Sequence, residues 1–318
     1  MLRLPIQNPK WKLYMKMEKF NPGQSMKDRM AFSMIAQAEM DGLLGEGGCI
    51  IESTSGNTGI GLAMMAAERG YRFIAIVNHH AAEHKIRMMK AYGAEIIYVR
   101  SDYPEDQVAV GEREALAEKL SREIPNSFFP RQADNPSNSE GYYSTLGPEI
   151  ISDTEGEITA LIGAVGTGGS LSGTARKLKE FNPNIRIIGV EPEGSIIFGG
   201  KGAPYYQSGT GNPANVDIAK NVDYSVIDQG LKVGDKEAFN TSRFLAKYKG
   251  ILVGGSAGGV IYKALEFLRR RDDEGLMVAI VADGGERYLN TIFDDEWMTT
   301  RSLIDTATEE QLQQWIQR

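Results

Sequence analysis

In the stretch NPGQSMKDRM, residues 21–30, turn-forming Asn, Pro and Gly precede Lys27, an acid and a base, just ahead of a helical pattern. A cation near the positive end of a helix dipole is slightly disfavoured. Lys27 is therefore either a solvated side chain or an amine placed for chemistry. Three glycine-rich segments add chemistry of their own. STSGNTG (53–59) is crowded with hydroxyl and amide side chains that can surround a carboxylate, or simply N-cap a helix through Ser55 or Thr58. GTGGSLSG (166–173) lets successive backbone N–H groups point at a phosphate while a helix starting near Ser170 adds its positive end. The plainer alternative is a tight strand-to-helix turn. GGSAGG (254–259) is the third segment. None fits G-x-G-x-x-G, because the third glycine after Gly166 and Gly168 is replaced by Leu171. The dinucleotide-dehydrogenase fingerprint is thus missing.

Each glycine-rich segment follows an apolar run and precedes a helical pattern. In doubly wound sheets ligands bind at the carboxyl ends of strands, so the three segments can converge on one site. The runs FIAIV (73–77), EIIYV (95–99), TALIGAV (159–165), RIIGV (186–190) and LMVAIVAD (276–283) alternate with segments of helical period. That alternation predicts an α/β fold with parallel sheet wrapped by helices. Met30, Met34, Ile35 and Ala38 recur at helix spacing, and GIGLAMMAAERG reads as a helix closed by Gly70. Residues 191–222 have no period and are a candidate lid or substrate loop. There is no internal repeat and no low-complexity segment.

With 318 residues, 42% hydrophobic and 24% charged, the chain is expected to be globular with two domains. A net charge of -7 argues against a nucleic-acid or anionic-membrane surface, leaving small molecules as partners. The single cysteine, Cys49, excludes an internal disulfide framework and reads as a buried thiol in GCII. The N-terminal segment lacks an uninterrupted apolar core of the secretory type, and no run is long enough to span a membrane. A cytoplasmic location is expected. His79, His80 and His84 sit together between a strand and a helix and read as a solvated junction; no metal is expected. RRRDDE (269–274) reads as a solvated helix end.

Taken in order, NPGQSMKDR, ESTSGNTGIGLA, QADNPSN, STLGPEI, GTGGSLSG, VEP, GGSAGG and DGGERYL resemble the fold-type II pyridoxal-phosphate enzymes of the cysteine synthase and cystathionine β-synthase group. The likeness runs from about residue 3 to about residue 298. It implies two open, mostly parallel sheets wrapped by helices, as in the tryptophan synthase β-like fold. It implies a smaller domain at 20–145, a larger one from 1–19 and 146–300, and a helical tail at 301–318. The cofactor would be pyridoxal 5'-phosphate. Lys27 would form the internal aldimine and later act as general base. Gly166, Thr167, Gly168, Gly169 and Ser170 would hold the phosphate, Asn57 the ring hydroxyl, and Ser256 the pyridine nitrogen. Thr54, Ser55, Asn57 and Thr58 with Gln132 would bind the substrate α-carboxylate, and Gly209 and Gly211 would lie beside its amine. A serine opposite the pyridine nitrogen makes a weaker electron sink than an aspartate, which favours β-elimination over transamination.

The implied reaction is β-replacement on O-acetyl- or O-phospho-L-serine through an α-aminoacrylate, with small amino acids as substrates. EGSIIFGG, together with MKDR and ESTSGN, is more like the siderophore-pathway synthases that join O-phosphoserine to glutamate toward 2,3-diaminopropionate. Dehydration, cyanoalanine formation and use of homocysteine stay open on the same scaffold, as does a non-catalytic paralogue. A phosphate leaving group calls for a cation, for which Lys201 and Arg29 are the candidates. MLRLPI stands in the place of the segment after a TPL motif, so neither the arm that reaches a dimer partner nor a sensing domain after residue 318 is expected. A homodimer is still the expected assembly. Tyr142 stands where the group often has histidine, and YLNT where it has YLST; neither is given a role.

Overall fold

A computed structural model describes residues 1–79, 81–99 and 110–317. In chain order it begins with β1 (Leu2–Leu4), β2 (Trp11–Met17), a short 3-10 turn (Glu18–Phe20) and α1 (Lys27–Met40). Then come β3 (Cys49–Ser53), α2 (Asn57–Arg69), β4 (Arg72–Val77), α3 (Glu83–Ala91), β5 (Glu95–Tyr98), α4 (Val110–Glu123), β6 (Ser127–Phe128), α5 (Pro136–Ser144) and α6 (Leu146–Asp153). The remainder is β7 (Ala160–Ala164), α7 (Gly169–Phe181), β8 (Arg186–Pro192), β9 (Gln229–Val233), α8 (Asp235–Lys249), α9 (Gly255–Leu268), β10 (Gly275–Val281), a 3-10 turn (Gly285–Tyr288), α10 (Asp295–Thr300) and α11 (Thr306–Trp315).

Two sheets organise these elements. One has the order β5-β4-β3-β6 and the other β1-β2-β10-β7-β8-β9. Every pairing is parallel except β1 with β2. Parallel strands are covered on both faces, so they read as continuous apolar runs. Accordingly all five residues of β3 are buried, as are the last six of β10. The five runs expected to be strands fall on β4, β5, β7, β8 and β10. In α1 the predicted stripe of Met30, Met34, Ile35 and Ala38 is buried. A fully buried Met or Ile contributes roughly 1.5–3 kcal/mol relative to exposure, which fixes how the Lys27 turn is presented. Gly70 closes α2 in the left-handed conformation, at φ 75°, as its position after the helical period requires.

Residues 193–228 contain no helix or strand, yet they are held down. The buried Glu191 carboxylate accepts from Ser195 Oγ, from Ile197 N at 2.9 Å and from Phe198 N at 3.0 Å, and pairs with Lys232 Nζ at 2.6 Å. Farther on, Asn221 Nδ2 donates to Ala133 O at 2.8 Å. Both ends of this long segment are therefore anchored beside strand ends.

Candidate active site

Lys27 is the first residue of α1, and its position is set by backbone pairing to the end of β10. Met26 N donates to Ala282 O at 2.9 Å, and Ser25 pairs antiparallel with Asp283. Tyr142, on α5, donates its hydroxyl to Met26 O at 3.0 Å from a fully buried position. The Lys27 ammonium makes no hydrogen bond or ion pair among the described residues. Burial pushes its pKa down to about 8, opposed by the Asp283 carboxylate. A neutral amine is thus accessible near neutral pH. Asp28 beside it is pushed up to about 6 by burial, against a hydrogen bond from Gly23 N and the Arg287 charge.

Asp283 links several chain segments. Its Oδ2 accepts from Asn57 Nδ2 at 2.8 Å and from Tyr288 Oη at 2.7 Å, whereas buried Oδ1 has no partner. Arg287 donates to Asn57 Oδ1 and to Gly23 O. The turn that starts α9 docks here too, through Gly254 N to Asp283 O at 3.2 Å, which brings Ser256 alongside. A Cβ on Gly254 would overlap Asp283 Oδ1, so the close approach needs glycine. Ser256 is buried and its hydroxyl makes no hydrogen bond among the described residues.

The hydroxyl-rich loop is built between β3 and α2. Thr54 Oγ1 accepts from Gly59 N at 3.1 Å, and Thr58 Oγ1 donates to Gln132 Oε1 at 2.6 Å. Under the loop lies Glu52, buried at the end of β3. Its carboxylate accepts from Ser53 N at 2.9 Å and from Gln132 N at 3.2 Å, tying two segments together across 80 residues of sequence. Burial raises the Glu52 pKa to about 8. Ser55 makes no side-chain hydrogen bond among the described residues.

Asn138 connects this loop to the second glycine-rich segment. Its Nδ2 donates to Gln132 O at 2.6 Å and to Thr167 Oγ1 at 3.3 Å. Gly168 adopts φ 85°, and a Cβ on Gly169 would overlap Asn138 Oδ1. The glycines let α5 close in behind the turn, leaving the first N–H groups of α7 to point elsewhere. Gly209 and Gly211, at φ 77° and 79°, lie against the same turn. Gly211 N donates to Val165 O at 2.7 Å, and a Cβ on Gly166 would stand 3.0 Å from Gly209 O. A cradle of small residues at the start of α7 and a partly buried, unpaired amine of lowered pKa fit the phosphate anchor and the reactive aldehyde of pyridoxal phosphate.

Two expected contributors stand apart. Arg29 is not available to a leaving-group phosphate. Its Nε lies 2.6 Å from Glu18 Oε2 and its Nη1 2.7 Å from Glu149 Oε1, with Glu18 fully buried and Lys16 also on Glu149 at 2.8 Å. That network raises the Arg29 pKa further, against its burial. Lys201 is exposed and makes no hydrogen bond or ion pair among the described residues. Cys49 is buried, and burial raises its thiol pKa. His79 stacks on Tyr98 with centroids 5.4 Å apart, and His80 lies outside the described residues. Among the described residues no group of three or more His, Cys, Asp or Glu is placed to hold a metal ion. The sequence reading missed Glu52, Asp283, Arg287 and Asn138 as individuals, although each lies inside a segment it quoted. The signal was an acid ending an otherwise apolar strand run, as in CIIE and AIVAD.

Comparison with known proteins agrees with this geometry. Residues 1–283 match the family described as pyridoxal-phosphate dependent enzyme. A putative cysteine synthase of Sinorhizobium fredii is 55% identical over 304 residues, covering 96% of this chain and 90% of that protein. The crystal structure of O-ureido-L-serine synthase superposes with a TM-score of 0.84 at 34% identity, covering 94% of this chain and 95% of that one. An O-acetylserine dependent cystathionine beta-synthase from Helicobacter pylori gives a TM-score of 0.80 at 35% identity, covering 91% and 90%.

Proposed function

The chain belongs to the pyridoxal-phosphate-dependent enzyme family, and from that premise we propose that it replaces the β-substituent of an activated L-serine, bearing O-acetyl or O-phospho, with an incoming nucleophile. The observation that carries this reading is the partly buried, unpaired Lys27 amine, its pKa lowered to about 8, beside Asp283. The cysteine synthase relative and the O-acetylserine-dependent neighbour point to the same donor class.

Bound pyridoxal phosphate supplies an electron sink for charge developing at the substrate α-carbon. The chain's own residues do the rest. Gly166, Thr167, Gly168, Gly169 and Ser170 would hold the phosphate, and Ser256 would serve the ring nitrogen. Thr54, Ser55, Asn57 and Thr58, with Gln132, hold the α-carboxylate at the start of α2, where free N–H groups add to the attraction. Asn57 already spends one amide hydrogen on Asp283 and one oxygen lone pair on Arg287, which fixes its orientation and leaves one of each for a ligand. Lys27 takes the α-proton; an amine with a pKa near working pH is well matched to that task. Gly209 and Gly211 flank the substrate amine. Closure of the 53–59 side excludes water.

A second reading, joining O-phosphoserine to an amine such as glutamate toward 2,3-diaminopropionate, rests on the likeness of EGSIIFGG, MKDR and ESTSGN to synthases of that kind. The expected domain boundaries are supported by the sheets, since β3 to β6 fall within 20–145 and the other strands outside it. A homodimer is supported by an open groove of ≈ 510 Å³ lined in part by Met1, Leu2 and Phe20, which expose apolar surface. We place the protein in the cytoplasm from its N-terminal composition; among the described residues no helix is long and apolar enough to cross a membrane.

The test is the visible absorption of the purified protein with pyridoxal phosphate, before and after each donor. A band that Lys27→Ala abolishes, and that shifts with O-acetyl- or O-phospho-L-serine, is the expected result. No band in the native protein overturns the reading.

A further inference from the structure

Beside the residues assigned above stands a cation that the proposed reaction does not use. Lys85 lies in the first turn of α3 and is only 5% exposed. Its ammonium makes no hydrogen bond and no ion pair among the described residues. It rests over the Tyr288 ring, 5.2 Å from the centroid. Its counter-charge is Asp283, the same carboxylate that faces Lys27, while Arg287 adds repulsion. Asp283 Oδ2 is already taken by Asn57 and Tyr288. A desolvated ammonium with unmade hydrogen bonds costs free energy that an anionic ligand would recover.

The topology sets Lys85 next to the donor loop. β3 and β4 are parallel neighbours, with Ser53 opposite Ile76 and Thr54 N donating to Ile76 O at 3.1 Å. The segments leaving their carboxyl ends, 54–57 and 78–84, therefore emerge side by side. One leads to the donor's proposed carboxylate site and the other to Lys85.

We propose that Lys85 anchors the carboxylate of the second, nucleophilic substrate, so that the enzyme takes a carboxylate-bearing acceptor such as an amino acid in preference to bare sulfide. This rests on the β-replacement reading and narrows it. An ammonium on a carboxylate is a charge-assisted contact, stronger than a neutral hydrogen bond. The Tyr288 ring supports the ammonium, and the like charge of Arg287 opposes its staying unpaired.

The experiment uses the holoenzyme at saturating donor with 3-mercaptopropionate, 2-mercaptoethanol and sulfide as acceptors. The native protein is expected to favour the carboxylate-bearing thiol over the neutral one in kcat/KM by about tenfold, the scale of one charge-assisted contact. Lys85→Met removes most of that preference, and Lys85→Arg keeps most of it. An equal fall for all three acceptors overturns the proposal, as does a native protein with no preference. Loss of cofactor absorbance from Lys85→Met after dialysis also overturns it, because Lys85 would then serve the cofactor. Should Lys85→Met not fold, Lys85→Gln takes its place with the same expectation. If the native holoenzyme turns over none of the acceptors, the β-replacement reading itself fails. Calorimetric binding of 3-mercaptopropionate to native and Lys85→Met protein then decides the subsite alone, and equal affinities overturn it.

Discussion

Lys27 and Arg29 stand two residues apart at the start of one helix, and the protein treats them in opposite ways. Arg29 is clamped between Glu18 and Glu149 by four hydrogen bonds. Lys27 is partly buried with none, and desolvation lowers its pKa to about 8. A satisfied buried charge holds elements together, here β2, α1 and α6. An unsatisfied one is a cost that the fold tolerates where a ligand completes it. Lys85 follows the Lys27 pattern, and Glu191, with its four partners, follows that of Arg29.

The comparison is broken most severely by exchanging the two roles. Lys27→Ala is expected to lower kcat by roughly a thousandfold or more, since a general base and covalent anchor is lost. Steady-state turnover with either donor measures it. In cofactor-free protein Lys27→Met is expected to raise stability. The folded state holds its Lys27 proton less tightly than the unfolded chain, so the penalty is full below pH 8 and disappears above pH 10.5. The gain near neutral pH is about 3 kcal/mol, read from urea unfolding, and it should vanish as pH approaches the unfolded value.

Arg29→Met should do the reverse. It leaves Glu18 buried without a counter-charge and destabilises by about 3–5 kcal/mol. The folded fraction should keep its cofactor band. If Arg29→Met instead abolishes donor binding without a stability loss, the contrast between the two residues is wrong. Glu149, whose pKa is held down to about 2 by Arg29 and Lys16 against its partial burial, keeps its share of this network until pH falls through that value.

Glu52→Gln is a smaller probe. An amide offers one acceptor oxygen, so one of the two N–H groups from Ser53 and Gln132 loses its partner. We expect the donor KM to rise roughly tenfold with kcat changed little, in keeping with one buried N–H left without its partner. An equal fall in kcat would mean that Glu52 supports the fold in general. The smallest effect is reserved for Lys201→Ala. With O-phospho-L-serine its kcat/KM should stay within about twofold of native, since it is an exposed cation whose field solvent and salt screen.

Much of the architecture was legible because parallel strands covered on both faces must be apolar throughout, so FIAIV or LMVAIVAD can hardly be anything else. The stripe on α1 and the glycine closing α2 were legible for similar local reasons. The segments that gather around Lys27 were legible as segments, since glycine and hydroxyl residues after a strand have few other uses. Arg29 was not. As one of several charges in a polar stretch it looked free, and only the folded chain brought Glu149 to it from 120 residues away. Glu52 and Asp283 were hidden for the same reason, as single acids at strand ends whose partners come from distant turns.

The sequence by itself determined the alternation of strands and helices, the family likeness and which segments carry small or hydroxyl residues, because these depend on local period and composition. Tertiary structure alone decided which buried charges are paired. Coulomb energy and desolvation depend on distances between residues far apart in the chain, and no local pattern records them. That is why Arg29 became a strut, while Lys27 and Lys85 were left with unmade hydrogen bonds.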